Sequence, residues 1–189
     1  MKAKGILLLS AVCFVLMLGG CGTKDVTSYN RNTLTIGKDG TIKEVSVEDF
    51  ADGNYNMQEL EQFVSSEIST YNQTAGEERI TLAELNTDNK LAKLQLNYAS
   101  MEDYDQFNRK DYSLQSFADS ALSGSLTDVN GQTEVAVSEI EDKGYQVLKV
   151  SDAMELAFEG KPLYYNSYVT VSNGVYSSNG EGVAVVVFK

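Results

Sequence analysis

The 189-residue chain carries 15 Lys plus Arg against 27 Asp plus Glu, a formal charge of -12, with no His, no Trp, one Pro and two Cys. The acidic balance excludes a basic nucleic-acid binder, which needs a positive footprint to meet phosphates. The lack of histidine excludes Ser-His-Asp and Cys-His catalysis and His-ligated zinc or haem, while 42% hydrophobic and 22% charged residues fit a folded globular chain.

Lys2 and Lys4 open the chain with no acid beside them, and 6–18 is apolar except for Ser10. That run is too short for a bilayer span, which takes ~20 residues. A basic start, a short apolar core and small residues at its end describe an export signal over 1–20. Its close, Leu18-Gly19-Gly20-Cys21, resembles the lipobox of bacterial lipoproteins. The resemblance implies a diacylglycerol thioether on Cys21 and cleavage between Gly20 and Cys21. It also implies a domain held at the extracytoplasmic face of the cell membrane. Small residues at Gly19 and Gly20 let a protease approach the backbone, and the Cys21 thiol is the nucleophile that takes the lipid. Two acyl chains supply the double anchor that stable attachment needs.

Cys13 leaves with the signal, so the mature domain is expected to have neither a free thiol nor a disulfide. Losing Lys2 and Lys4 leaves 13 basic residues against 27 acids, a mature charge of -14. Anionic head groups repel such a domain, so the anchor and not surface charge keeps it at the membrane. Residues 22–32 are polar and without apolar period, and read with Cys21 as a lipidated tether over 21–32. No linker composition interrupts 33–189, which reads as one domain.

Leu34 and Ile36, the turn Lys38-Asp39-Gly40, and then Ile42, Val45 and Val47 predict a β-hairpin. The change of parity between Ile42 and Val45 predicts a bulge. Met57, Leu60, Val64, Ile68 and Tyr71 form one helical stripe with Phe63 beside it; Asn56 with Glu59 starts the helix and Gly76 ends it. The order recurs. Ile80, Leu82 and Leu85, the turn Asp88-Asn89, and Leu94, Leu96 and Tyr98 predict a second hairpin. Ser100 with Asp103 opens a helix bearing Met101, Tyr104 and Phe107. Two β-hairpin-plus-helix units over 33–75 and 78–109 result. Leu114, Phe117, Ala118 and Ala121 predict a further short helix stopped by Gly124.

The remainder is strand-like. Val135 and Val137 alternate, as do Leu148 and Val150, then Met154, Leu156 and Phe158. Leu163, Tyr165, Val169 and Val171 are assigned to one face of a single strand. Residues 183–188 are apolar on both faces, which predicts a central strand covered twice. The fold class is α+β: two hairpin-plus-helix units, a strand-rich C-terminal half, and helices packed on a mostly antiparallel sheet. Lys38-Asp39-Gly40-Thr41-Ile42, Val47-Glu48-Asp49-Phe50, Gly160-Lys161-Pro162-Leu163-Tyr164-Tyr165 and Val169-Thr170-Val171 also resemble a group of uncharacterised lipoproteins of Gram-positive bacteria. That resemblance implies location and fold, and carries no activity.

Asp49, Asp52, Asn54 and Asn56 cluster around Gly53 and offer oxygen ligands of the kind that hold Ca²⁺. The twelfth position from Asp52 is Phe63, not an acid, and Asp128-Val129-Asn130-Gly131 fails a similar count. Asx turns and a helix cap explain both stretches, so no metal and no cofactor is assigned. Paired carboxylates could run glycoside hydrolysis without histidine. Acids are abundant, among them Glu48, Asp49, Glu61, Glu67, Glu102, Asp103, Asp105, Glu155 and Glu159. Glu61 and Glu67 fit the wet side of the helix and Glu155 and Glu159 alternate with Met154, Leu156 and Phe158, so these read as solvated faces. No G-x-S-x-G or S-x-x-K occurs, so a serine acyl enzyme has no support.

The remaining signal is aromatic. Tyr164, Asn166 and Tyr168 alternate with the apolar positions of 163–171, and two tyrosines flanking an asparagine would make a platform for a sugar or an extended peptide. The competing reading has a helix burying those rings. Tyr98, Tyr104, Phe107, Tyr112 and Phe117 read as core. The expectation from sequence is a non-catalytic binding or interaction module at the cell envelope, with an envelope protein or a glycan as partner. A carboxylate-dependent hydrolase of cell-wall glycans is the alternative.

Overall fold

Two hairpins and two helices open the fold. Strands β1 (Thr33–Ile36) and β2 (Ile42–Asp49) pair antiparallel. Between them Gly40 takes φ +86°, a left-handed conformation that costs glycine little. The computed structural model describes residues 25–50, 56–88 and 91–189. Leu18, Gly19, Gly20 and Cys21 of the lipobox lie outside the described residues, as do Asp52, Gly53, Asn54 and Asn89.

Helix α1 (Met57–Ala75) begins where Asn56 Oδ1 accepts from the backbone N–H of Gln58 and Glu59, and ends at Gly76. Leu60, Val64, Ile68 and Tyr71 turn to the core as their spacing requires, while Phe63 is 63% exposed. Strands β3 (Ile80–Asp88) and β4 (Leu91–Tyr98) form the second hairpin. Helix α2 (Met101–Asn108) follows, capped by Ser100 Oγ, which accepts from Asp103 N at 3.1 Å.

Nine short strands complete the chain: β5 (Ser113–Ser116), β6 (Ser125–Asp128), β7 (Glu134–Ala136), β8 (Gln146–Val150), β9 (Met154–Phe158), β10 (Pro162–Tyr165), β11 (Val169–Ser172), β12 (Val175–Ser178) and β13 (Ala184–Phe188). They build two sheets. The larger runs β11-β12-β9-β1-β2-β4-β3 and the smaller β5-β8-β13-β10-β6-β7. All the strand pairings are antiparallel except β1 with β9. This is the α+β architecture with a strand-rich C-terminal half.

The main core joins both sheets and both helices. Leu34, Ile36, Ile42, Leu96 and Leu156 of the larger sheet meet Leu148, Val150, Val186 and Phe188 of the smaller, with Val64 and Ile68 of α1 and Tyr104 of α2. A second cluster gathers Leu126, Ile140, Val147, Val185 and Val187 under Phe117, Tyr145 and Tyr164. Strand β13 lies inside the smaller sheet and sends alternate residues into each cluster, so all five are buried. Its unbroken apolar run has that cause.

Five expectations are corrected. The helix over 114–121 is strand β5, with Leu114 opposite Leu148, followed by a turn in which Ala121 has φ +49°. Its apolar spacing is short enough to serve either element, and pairing with β8 decides. The β1–β2 and β2–β4 registers run without a bulge; the irregularity falls in β3, between Leu82 and Glu84. Ile42 and Val45 are both buried although they lie on opposite faces of β2. Residues 163–171 are two strands in different sheets, β10 and β11. Val137 starts a 3-10 turn, Val137–Glu139, instead of extending β7.

The fifth correction concerns the segment read as tether. Residues Val26–Ser28 form a 3-10 turn seated on β3 and β4, and Val26 is only 1% exposed. A single valine carries no periodicity, so its burial could not be read from spacing.

Candidate functional site

Strands β1, β2, β4 and β3 present different chemistry on their two faces, because alternate side chains point opposite ways. On the inner face Glu44 lies opposite Leu96 and Ile42 opposite Tyr98. Tyr98 donates its hydroxyl to Glu44 Oε2 at 2.7 Å, Tyr104 donates to Oε1 at 3.4 Å, and Asn108 Nδ2 donates to the Tyr98 oxygen at 3.0 Å. Tyr104 stacks on Tyr112 at 5.6 Å, and Tyr112 donates to Asp152 Oδ2 at 2.6 Å, where Lys110 also pairs.

Burial, followed by the charge of Glu44, pushes the Tyr98 and Tyr104 phenols far above the ordinary tyrosine range. Burial, followed by the hydrogen bond to Asp152, does the same for Tyr112. Asp152 is held below the usual carboxylate range by the hydrogen bond from Lys110 and then by that from Tyr112. These phenols act as protonated donors that orient carboxylates, so the cluster fastens α2 and the start of β9 to the sheet.

Two acids singled out from sequence are similarly engaged. Asp103 is buried and accepts from the Tyr71 hydroxyl at 3.1 Å, and Asp105 Oδ1 accepts from Tyr112 N at 2.7 Å. Glu61 and Glu67 lie on the exposed side of α1. Asp128 Oδ1 accepts from Asn130 N and Gly131 N at 2.7 and 2.8 Å, closing an Asx turn. Among the described residues no group of three or more His, Cys, Asp or Glu is placed to hold a metal.

The outer face is different. Register aligns Thr35, Lys43, Asn97 and Thr81 in one row across β1, β2, β4 and β3. The row lies in a cleft of about 350 Å³ whose lining also includes Glu78 and Arg79 before β3 and Glu159 after β9. Asn97 Nδ2 donates to Thr81 Oγ1 at 3.5 Å, and Glu159 Oε2 accepts from Lys38 N at 3.4 Å. Arg79 is steadied by Glu77 at 3.0 Å and Asp103 at 3.9 Å. Lys43 enters no ion pair with another described residue. The cleft thus combines cations, carboxylates, hydroxyls and an amide, a set suited to holding a polar ligand at several points.

The expected aromatic platform is divided. Tyr164 belongs to β10 and packs against the second cluster of the smaller sheet. Asn166 is a corner: its Oδ1 accepts from Val185 N at 3.0 Å and Tyr168 N at 3.3 Å, and its Nδ2 donates to Val183 O at 2.8 Å. Tyr168 is 39% exposed and lies over Gly182, where an added Cβ would sit 2.5 Å from its Cζ. Asn166 therefore works for the chain's passage between sheets, and the two rings do not share one strand.

Sequence reasoning missed the cleft. Alternation marks Thr35, Lys43, Thr81 and Asn97 as polar strand positions, but only register brings them into one row. Comparison with protein-family models, with curated proteins and with solved structures finds no match to this chain. Among the described residues no helix is long and apolar enough to cross a membrane.

Proposed function

We propose that this chain is a lipid-anchored extracytoplasmic protein whose domain binds a polar component of the cell envelope without transforming it. Support for the anchor comes from Leu18-Gly19-Gly20-Cys21 after a basic start and a short apolar run. The observation that carries the binding reading is the contrast between the two sheet faces. On the inner face Glu44 serves as an acceptor for tyrosines, while the outer row of Thr35, Lys43, Asn97 and Thr81 lines an open cleft.

Two measurements test it. Mass spectrometry of the native amino terminus should find a diacylglyceryl group on Cys21, and an unacylated first residue would overturn the anchor. A Cys21→Ser chain starting at residue 21 should co-sediment with isolated envelopes, and Lys43→Ala with Asn97→Ala should abolish this. Unchanged sedimentation would remove the cleft as the site.

The alternative, a glycan hydrolase, draws on one observation: Glu78 and Glu159 line the same cleft, and both are exposed. It requires release of reducing ends from wall glycan that disappears in Glu78→Gln and Glu159→Gln.

A further inference from the structure

The segment read from sequence as a free tether is fastened to the outer face of the larger sheet. Asp25 Oδ1 accepts from Thr27 N at 2.9 Å and from its hydroxyl at 2.8 Å, Ser28 N donates to Asp25 O at 2.9 Å, and Val26 is buried. Lys93, only 2% exposed, donates its Nζ to Thr27 O. Lys93 and Val47 are register partners on the same face as Lys43 and Asn97. Further along, Asn32 Oδ1 accepts from Val47 N at 2.8 Å and Asn32 O accepts from Glu155 N at 2.8 Å. The chain is therefore a strap across this face up to the first residue of β1.

The strap shortens the leash. From Cys21 to buried Val26 the chain reaches at most ~18 Å, at ~3.6 Å per residue, whereas a free tether through residue 32 would reach ~40 Å. The strapped row and the cleft row are four residues apart along β2, or ~14 Å at ~3.4 Å per residue. The short leash and the cleft thus belong to one face of the domain.

We propose that this outer face lies against the bilayer, and that the cleft takes the head group of a zwitterionic phospholipid. The proposal rests on the lipid-anchor reading above. Charge complementarity favours it: Lys43 and Arg79 suit the phosphate, and Glu78 and Glu159 suit the ammonium. The hydroxyls of Thr35 and Thr81 and the Asn97 amide suit the remaining oxygens. A cavity of about 350 Å³ matches a small polar head group. The acidic domain is repelled by anionic lipid, which selects the zwitterion.

The test couples Cys21 of the chain from residue 21 onward to a maleimide phospholipid in phosphatidylcholine vesicles. Hydrogen exchange is then compared with that of the same chain free in solution. Exchange should slow in the turn 37–41 and in 76–79, which border the cleft, and stay unchanged in 128–133 and 141–145 of the smaller sheet. Lys43→Gln should lose the slowing, and phosphatidylglycerol vesicles should give less of it. Slowing in 128–133 or 141–145 instead, none anywhere, or equal slowing in Lys43→Gln would overturn the proposal. Slowing on phosphatidylglycerol that matched or exceeded the phosphatidylcholine result would overturn the zwitterionic assignment. Chemical coupling keeps this result separate from native lipidation, whose failure shows only in the mass of the native amino terminus.

Discussion

The two faces of strands β1, β2 and β4 are built from alternating residues of the same segments, yet they differ in what their polar groups are free to do. On the inner face half-buried Glu44 accepts hydrogen bonds from Tyr98 and Tyr104, both buried in the main core. On the outer face Lys43, one residue away, lines an open cleft. A polar group that leaves water must find a partner, so the buried Tyr98 and Tyr104 hydroxyls claim the carboxylate beside them. Counting acids in a sequence says nothing about which of these fates each will meet.

The contrast breaks most readily from the inside. Leu34 is fully buried on the inner face, so Leu34→Ala should cost ~2–5 kcal/mol of stability, read by urea unfolding. Tyr98→Phe leaves Glu44 short of its nearest donor and should cost ~1.5–3 kcal/mol, because hydrogen bonds to charged groups exceed neutral ones. If Tyr98→Phe is neutral, the inner carboxylate is not held as described and the distinction between faces fails.

Titration sharpens the same contrast. Tyr98, Tyr104 and Tyr112 have raised folded-state pKa values, so their contribution is intact below the unfolded tyrosine value of about 10 and is lost as pH rises beyond it. These three should ionise together with unfolding, which ultraviolet absorbance at alkaline pH will follow. Asp152 has the opposite sign: its lowered pKa contributes above the unfolded value of about 3.9 and is lost as pH falls through the folded one. The stability gap between the natural chain and Asp152→Asn should therefore shrink in acid, by thermal melts across that range.

Smaller effects are expected elsewhere. Ser178 is 5% exposed, and its hydroxyl has no hydrogen-bond partner among the described residues. Ser178→Ala should raise stability by ~1 kcal/mol by removing that unpaired group, measured as a higher unfolding midpoint. On the outer face Lys43→Ala should change stability by less than ~0.5 kcal/mol. A large loss there would mean that the lysine is part of the scaffold.

Local patterns made much of this fold legible. The stripe from Leu60 to Tyr71 and the Asn56–Glu59 start define α1, and Ser100 with Asp103 defines the start of α2. The apolar run of β13 announces a strand covered on both sides. Val26 was illegible because one apolar residue has no period, and its partners on β3 and β4 lie far along the chain. The 163–171 alternation was legible as strand but not as two strands, since Asn166 makes its corner through contacts with Val183 and Val185.

By itself the sequence determined the Lys38-Asp39-Gly40 turn, the helix caps, the apolar stripes and the α+β class. All of these depend on residues within a few positions of one another, where backbone sterics and side-chain spacing act directly. Only the tertiary structure decided that Thr35, Lys43, Asn97 and Thr81 form a row, that Glu44 is claimed by tyrosines, and that Val26 is pinned to the sheet. Those outcomes follow from register and from which surface covers which, and both are settled when distant segments compete for the same buried space.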